Sequence, residues 1–163
     1  MKAVKIEAVQ DIQSFIHQAD TSYCSYIYKL HEKNVSLTQS IEALKQDTGV
    51  YALIDESDKV RMLMGGFSYD TNHFKMVGPF INSNDQLDAQ AFKSLFETLI
   101  ADQPDQSHFN FSFDITADYK SSLMKSIDAH YTFTDYYLST DHTIETSPAA
   151  ERQIIPYHKA FFA

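Results

Sequence analysis

Three bulky, apolar runs follow one another at residues 51–55, 60–69 and 74–81, parted only by Glu56-Ser57-Asp58-Lys59 and Asp70-Thr71-Asn72. Separators this short are turn chemistry and leave no room for a crossover helix, so the three runs read as an antiparallel meander. That excludes an all-helical fold and a purely parallel sheet. Gly65-Gly66 inside the second run marks a bulge, as either a substrate-facing feature or a tight packing point.

The flanking segments supply helices. Val4, Ile6 and Ala8 alternate with Lys5 and Glu7 in a half-buried first strand. Ile12, Phe15, Ile16, Ala19, Tyr23, Tyr26, Ile27 and Leu30 recur at the helical period, with a break expected near Asp20 and a second helix capped by Thr21 or Ser22. Tyr28 falls off that apolar face. Ser36-Leu37-Thr38-Gln39 has capping-box spacing and opens a helix to about Gln46, which Gly49 stops. After the meander, Leu87, Ala91, Leu95 and Leu99 form one ridge and Phe92, Phe96 and Ile100 the next, the pattern of a helix laid on a sheet. Phe109, Phe111, Phe113 and Ile115 alternate with polar residues as a strand. Tyr119, Leu123 and Ile127 mark a helix, and residues 131–141 a long aromatic strand. The predicted order is β-α-α-β-β-β-α-β-α-β, an α/β (α+β) class with a mixed, mainly antiparallel sheet flanked by helices. Residues 1–142 form its domain, and residues 143–163 a linker and apolar tail.

Composition narrows the partners. With 163 residues, 44% hydrophobic and 21% charged, the chain suits one packed domain. Thirteen Lys+Arg against 22 Asp+Glu give −9, with no run of three basic residues, which argues against nucleic acid or an anionic membrane. A single cysteine, Cys24, forbids an internal disulfide or a multi-cysteine zinc site, and reads as a buried small hydrophobe in a reducing compartment. No signal peptide is read at the start and no apolar run reaches ~18 residues, so a cytoplasmic protein is expected. Among seven histidines no pair has helical metal spacing and no H-E-x-x-H occurs, so no metal is expected.

The element order over residues 1–142 resembles the GCN5-related N-acetyltransferase (GNAT) superfamily. In that family a strand leads into Q/R-x-x-G-x-G/A at a helix start, whose backbone N–H groups hold the pyrophosphate of acetyl-CoA. Here Lys75-Met76-Val77-Gly78-Pro79-Phe80-Ile81 is followed by Gln86-Leu87-Asp88-Ala89-Gln90-Ala91. Gln86 fits the first position and Ala91 the last, while Ala89 stands where the family has its first glycine. The resemblance implies that Phe80 and Ile81 offer backbone groups to pantetheine, and that Gln86, Leu87, Asp88, Ala89, Gln90 and Ala91 cradle the pyrophosphate. Asp88 puts a carboxylate where that phosphate would sit. Residues 82–119 hold seven carboxylates against Lys93 alone, and each carboxylate ~4 Å from a phosphate costs about 1 kcal/mol in water. The family's later N-x-x-A-x-x-x-Y, followed by G-F, aligns with Tyr119, Ser122, Ser126 and His130-Tyr131. Ser126 then stands in the place of the general acid, although a serine hydroxyl is far less acidic than a phenol.

Three functions follow as expectations. One is an acetyl-CoA-dependent N-acetyltransferase acting on a small amine, which requires an open splay between the strand ending at Ile81 and the Phe109 strand. The second is a non-catalytic GNAT-like domain, its splay filled by side chains, that pairs with a second domain or copy. Ile154, Ile155, Tyr157, Phe161 and Phe162 would either cover this domain or meet that second domain or a copy in a homodimer. The third is a module that binds another small ligand in an aromatic pocket.

Overall fold

A computed structural model describes residues 1–27, 30, 34–114 and 116–132. Tyr28, Ile115, residues 133–141 of the expected last strand, and the linker and apolar tail lie outside them.

The meander forms as its separators require. Strands β3 (Val50–Ile54), β4 (Val60–Asp70) and β5 (His73–Asn82) pair antiparallel in sequence. At the first turn, Asp55 Oδ1 accepts from the backbone N–H groups of Ser57 and Lys59 at 2.8 and 3.1 Å. Strand β1 (Lys2–Ile6) adds antiparallel to β3. The result is a six-stranded, mainly antiparallel sheet in a mixed α/β fold.

Gly65 and Gly66 are packing points. The β4–β5 register shifts between Leu63 and Gly65. A Cβ on Gly66 would lie 2.8 Å from Met76 Sδ and 3.1 Å from Thr48 Cγ2. The Thr48 hydroxyl oxygen accepts from the Gly66 N–H at 2.7 Å, so this close approach carries its own hydrogen bond.

Each sheet face takes two helices. Helix α1 (Val9–Gln18) and helix α2 (Leu37–Asp47) bury Ile12, Ile16, Ile41 and Leu44 against Val50, Leu63, Val77 and Phe80. Helix α2 opens on the expected capping box: Ser36 Oγ accepts from Gln39 N at 3.2 Å, and Gln39 Oε1 from Ser36 N at 2.8 Å. It ends where Gly49, at φ +84°, turns the chain into β3. On the other face, helix α3 (Ala89–Ala101) buries Ala91, Phe92, Leu95, Phe96 and Leu99, as its two ridges predict. Helix α4 (Lys120–Ser126) adds Leu123 to the same core. Asp102, which ends α3, accepts a hydrogen bond from the Tyr51 hydroxyl, fastening that helix to β3.

Two expectations need correction. After α1 the chain does not enter a second helix at Thr21 or Ser22. Asp20 Oδ1 accepts from Ser22 N at 2.9 Å, and this local turn competes with helix formation. Residues 19–20 form instead β2 (Ala19–Asp20), antiparallel to the end of β5. The Phe109 strand pairs only as β6 (His108–Asn110), parallel to the start of β5, before its backbone departs. Its aromatic alternation still holds, with Phe109, Phe111 and Phe113 packed on the α3 core.

Phe92 sits at the centre of that core, fully buried and in edge contact with Phe111 at 5.9 Å. Phe92→Ala is expected to cost about 3–5 kcal/mol in urea-induced unfolding, the range for a large cavity in a packed core.

Candidate functional site at the end of β5

The residues assigned to pantetheine and pyrophosphate gather around the second half of β5 and the start of α3. Gly78, at φ +117°, gives the strand a conformation that a side chain would oppose. A Cβ there would also lie 2.9 Å from Met64 Cβ. The Gly78–Pro79 peptide bond is cis.

The outer edge of β5 is covered by three different segments. Strand β6 pairs with His73, Phe74 and Lys75, and β2 pairs with Ile81 and Asn82. Between them sits Ser25, whose side chain and backbone are wholly buried. Its N–H donates to Gly78 O at 2.9 Å, and its carbonyl accepts from Gly78 N at 3.4 Å. On its far side Ser25 Oγ accepts from Ser112 N at 2.9 Å, and Tyr26 N donates to Ser112 O at 3.1 Å. The splay between β5 and the Phe109 segment therefore exists, and residues 25–26 fill it.

Neighbouring groups lock this plug in place. Cys24 Sγ donates to Pro79 O at 3.2 Å, and burial, followed by the nearby Asp20 carboxylate, pushes its thiol pKa far up. Such a thiol is a poor nucleophile, consistent with the buried small hydrophobe expected. The Tyr119 hydroxyl donates to Ser22 O at 2.7 Å, and its ring meets Tyr23 edge-on at 4.8 Å. Burial is the main cause that raises the Tyr119 pKa, ahead of the Cys24, Asp114, Tyr23 and Asp20 charges.

The α3 start is also engaged from within. Asp88 is its N-cap, and Asp88 Oδ1 accepts from Gln90 N at 2.8 Å and from Ala91 N at 3.3 Å. These are the N–H groups the resemblance reserves for phosphate oxygens, and the capping carboxylate already complements the positive end of the helix dipole. Gln86 and Gln90 are exposed, whereas Leu87 and Ala89 lean on the α3 core.

Ile81, Gln86, Asp88 and Ala91 do meet, on a cleft of about 220 Å³ shared with Met1, Leu53, Arg61, Met62 and Asp85. The Arg61 guanidinium in its wall is held by two carboxylates, Asp55 at 3.1 Å and Asp85 at 3.2 Å. Phe80 points away, buried among the α1 and α2 side chains. Ser126 lies off the cleft at the end of α4, where its hydroxyl donates to Leu123 O at 2.7 Å. The β5 edge, two of the helix-start donors and the arginine are thus all engaged by groups of the chain itself.

Ser25 and Tyr119 organise this region, and sequence reasoning gave neither that part. Tyr119 entered as a helix marker and a motif position, and nothing in Cys24-Ser25-Tyr26 marks a serine that joins two distant strands. No protein-family model, curated protein or solved structure matches the chain.

Ser25→Ala removes the Oγ that accepts from the Ser112 N–H and is expected to cost about 1–3 kcal/mol, with faster hydrogen exchange at Ser112 than at Phe92. Asp55 supplies a pH test. Backbone N–H donors from Lys59 and then Ser57 hold its carboxyl below the ordinary 3.8, with Arg61 adding to them. A pKa lowered by folding contributes stability that is present above the unfolded value and fades as pH falls through the folded one. Asp55→Ala should therefore unfold earlier than the native chain at pH 7, and the two urea midpoints should converge as acid protonates Asp55.

Proposed function

We propose that this chain is a non-catalytic GNAT-like domain that acts by pairing with a second domain or copy. The observation that carries this reading is the Ser25 plug, which takes the backbone groups of Gly78 and Ser112 where pantetheine would lie. The Asp88 cap supports it independently, because it spends on a carboxylate the donors that an incoming phosphate needs.

An acetyltransferase would also need a proton donor for the departing thiolate. The Ser126 hydroxyl donates a hydrogen bond within its own helix and stands off the cleft, so no such step is assigned to it. The pairing surface is assigned to the apolar residues Ile154, Ile155, Tyr157, Phe161 and Phe162, which have reason to seek cover. A buried, unpaired cysteine favours a reducing compartment, and cytoplasmic placement belongs to the same proposal. Among the described residues no helix is long and apolar enough to cross a membrane.

Isothermal titration with acetyl-CoA at low ionic strength, where phosphate contacts are strongest, tests the non-catalytic reading. No heat is expected at millimolar cofactor, and a micromolar dissociation constant would overturn it. Sedimentation of the full chain tests self-pairing, with a dimer expected if the partner is a second copy.

A further inference from the structure

The parallel register of β5 and β6 sets His73 directly beside His108. Residues so paired project from the same sheet face, and the two imidazoles stack with centroids 4.6 Å apart and planes 14° from parallel. His73 Nδ1 lies 2.8 Å from the Thr71 carbonyl oxygen. A carbonyl only accepts, so Nδ1 carries the proton, and Nε2 of the neutral ring keeps a bare lone pair. Orientation of one ring nitrogen by a backbone carbonyl is the usual outer-shell support of a metal-binding histidine.

His108 is exposed, and among the described residues no side-chain hydrogen bond commits its ring. Tyr69 walls the other side, its ring centred 5.8 Å from His73 and its hydroxyl accepting from Asn110 Nδ2 at 2.5 Å. The nearby Lys75 ammonium lies over the Tyr69 and Tyr26 rings, at 5.1 and 5.6 Å from their centroids.

We propose that His73 and His108 form a two-histidine chelate for a divalent transition-metal ion, with Cu²⁺ held most tightly. Imidazole suits Cu²⁺, Ni²⁺ and Zn²⁺, and the affinity order of these ions peaks at Cu²⁺. Two nitrogens each about 2.0 Å from one metal lie no more than about 4 Å apart. Nearly parallel rings with centroids 4.6 Å apart hold their lone pairs side by side, so binding requires the exposed His108 ring to swing until both nitrogens face one ion. Among the described residues no group of three His, Cys, Asp or Glu gathers to hold a metal, so water completes the shell and the ion exchanges. The site is separate from the β5 plug and does not depend on the proposed pairing function.

The full chain is titrated with Cu²⁺ in a non-coordinating buffer, alongside His73→Ala, His108→Ala and His17→Ala. His17 is an exposed histidine on α1 and controls for adventitious binding. The two site variants should each weaken the tightest Cu²⁺ site by at least the ~10–100-fold that loss of an outer-shell partner costs, with His17→Ala unchanged. Electron paramagnetic resonance of the one-to-one complex should show two nitrogen ligands in the native chain and fewer in His108→Ala. His108 is exposed, so its variant should keep the fold, checked by circular dichroism, and it decides the matter even if His73→Ala folds poorly. Equal Cu²⁺ affinity in the native chain and His108→Ala overturns the proposal, as does a loss in His17→Ala that matches the site variants.

Discussion

A strand buried in the middle of a sheet must pair its backbone along both edges, because an unmet N–H or C=O in an apolar surround costs as much as a lost hydrogen bond. On one edge β5 meets this demand with β4, continuously apart from the bulges. On the other it needs β6, Ser25 and β2 in turn, drawn from two distant parts of the chain. Ser25 is the joint between them, since its backbone serves β5 while its hydroxyl oxygen serves Ser112. The departure of the Phe109 segment from β5 and the absence of a helix at Thr21 both accompany this arrangement.

The same economy governs the start of α3. A helix N-terminus offers unpaired donors and a positive dipole end, and either an external anion or a side chain of the chain itself can meet them. Asp88 meets them from within. Around it Asp85 and Asp55 engage Arg61, and Asp85 and Asp88 both line the cleft beside the helix start.

Elements specified by neighbours in sequence were legible before the fold was known. The polar separators of the meander, the Ser36–Gln39 reciprocal cap and the double ridge of α3 depend on spacings of a few residues, and each forms as expected. The sequence also showed Asp88 at the helix start and its conflict with a phosphate. Features made across the sheet stayed hidden. A break near Asp20 was legible, but not that its turn and its pairing with Ile81 draw the backbone into an edge strand. His73 and His108 have no recognisable spacing, because parallel register rather than helix geometry brings them together. Ser25 carried no pattern at all.

The hydrogen bond from Ser112 to Ser25 spans 87 positions of the chain. Closing so long a loop is entropically unfavourable until most intervening structure is in place, whereas the meander closes through turns of a few residues. The order of assembly is thereby built into the topology. The antiparallel core can organise first, and the chain entering from α1 is threaded against β5 once the Phe109 segment arrives to receive it. The joint that holds the sheet edge together is in this sense a keystone.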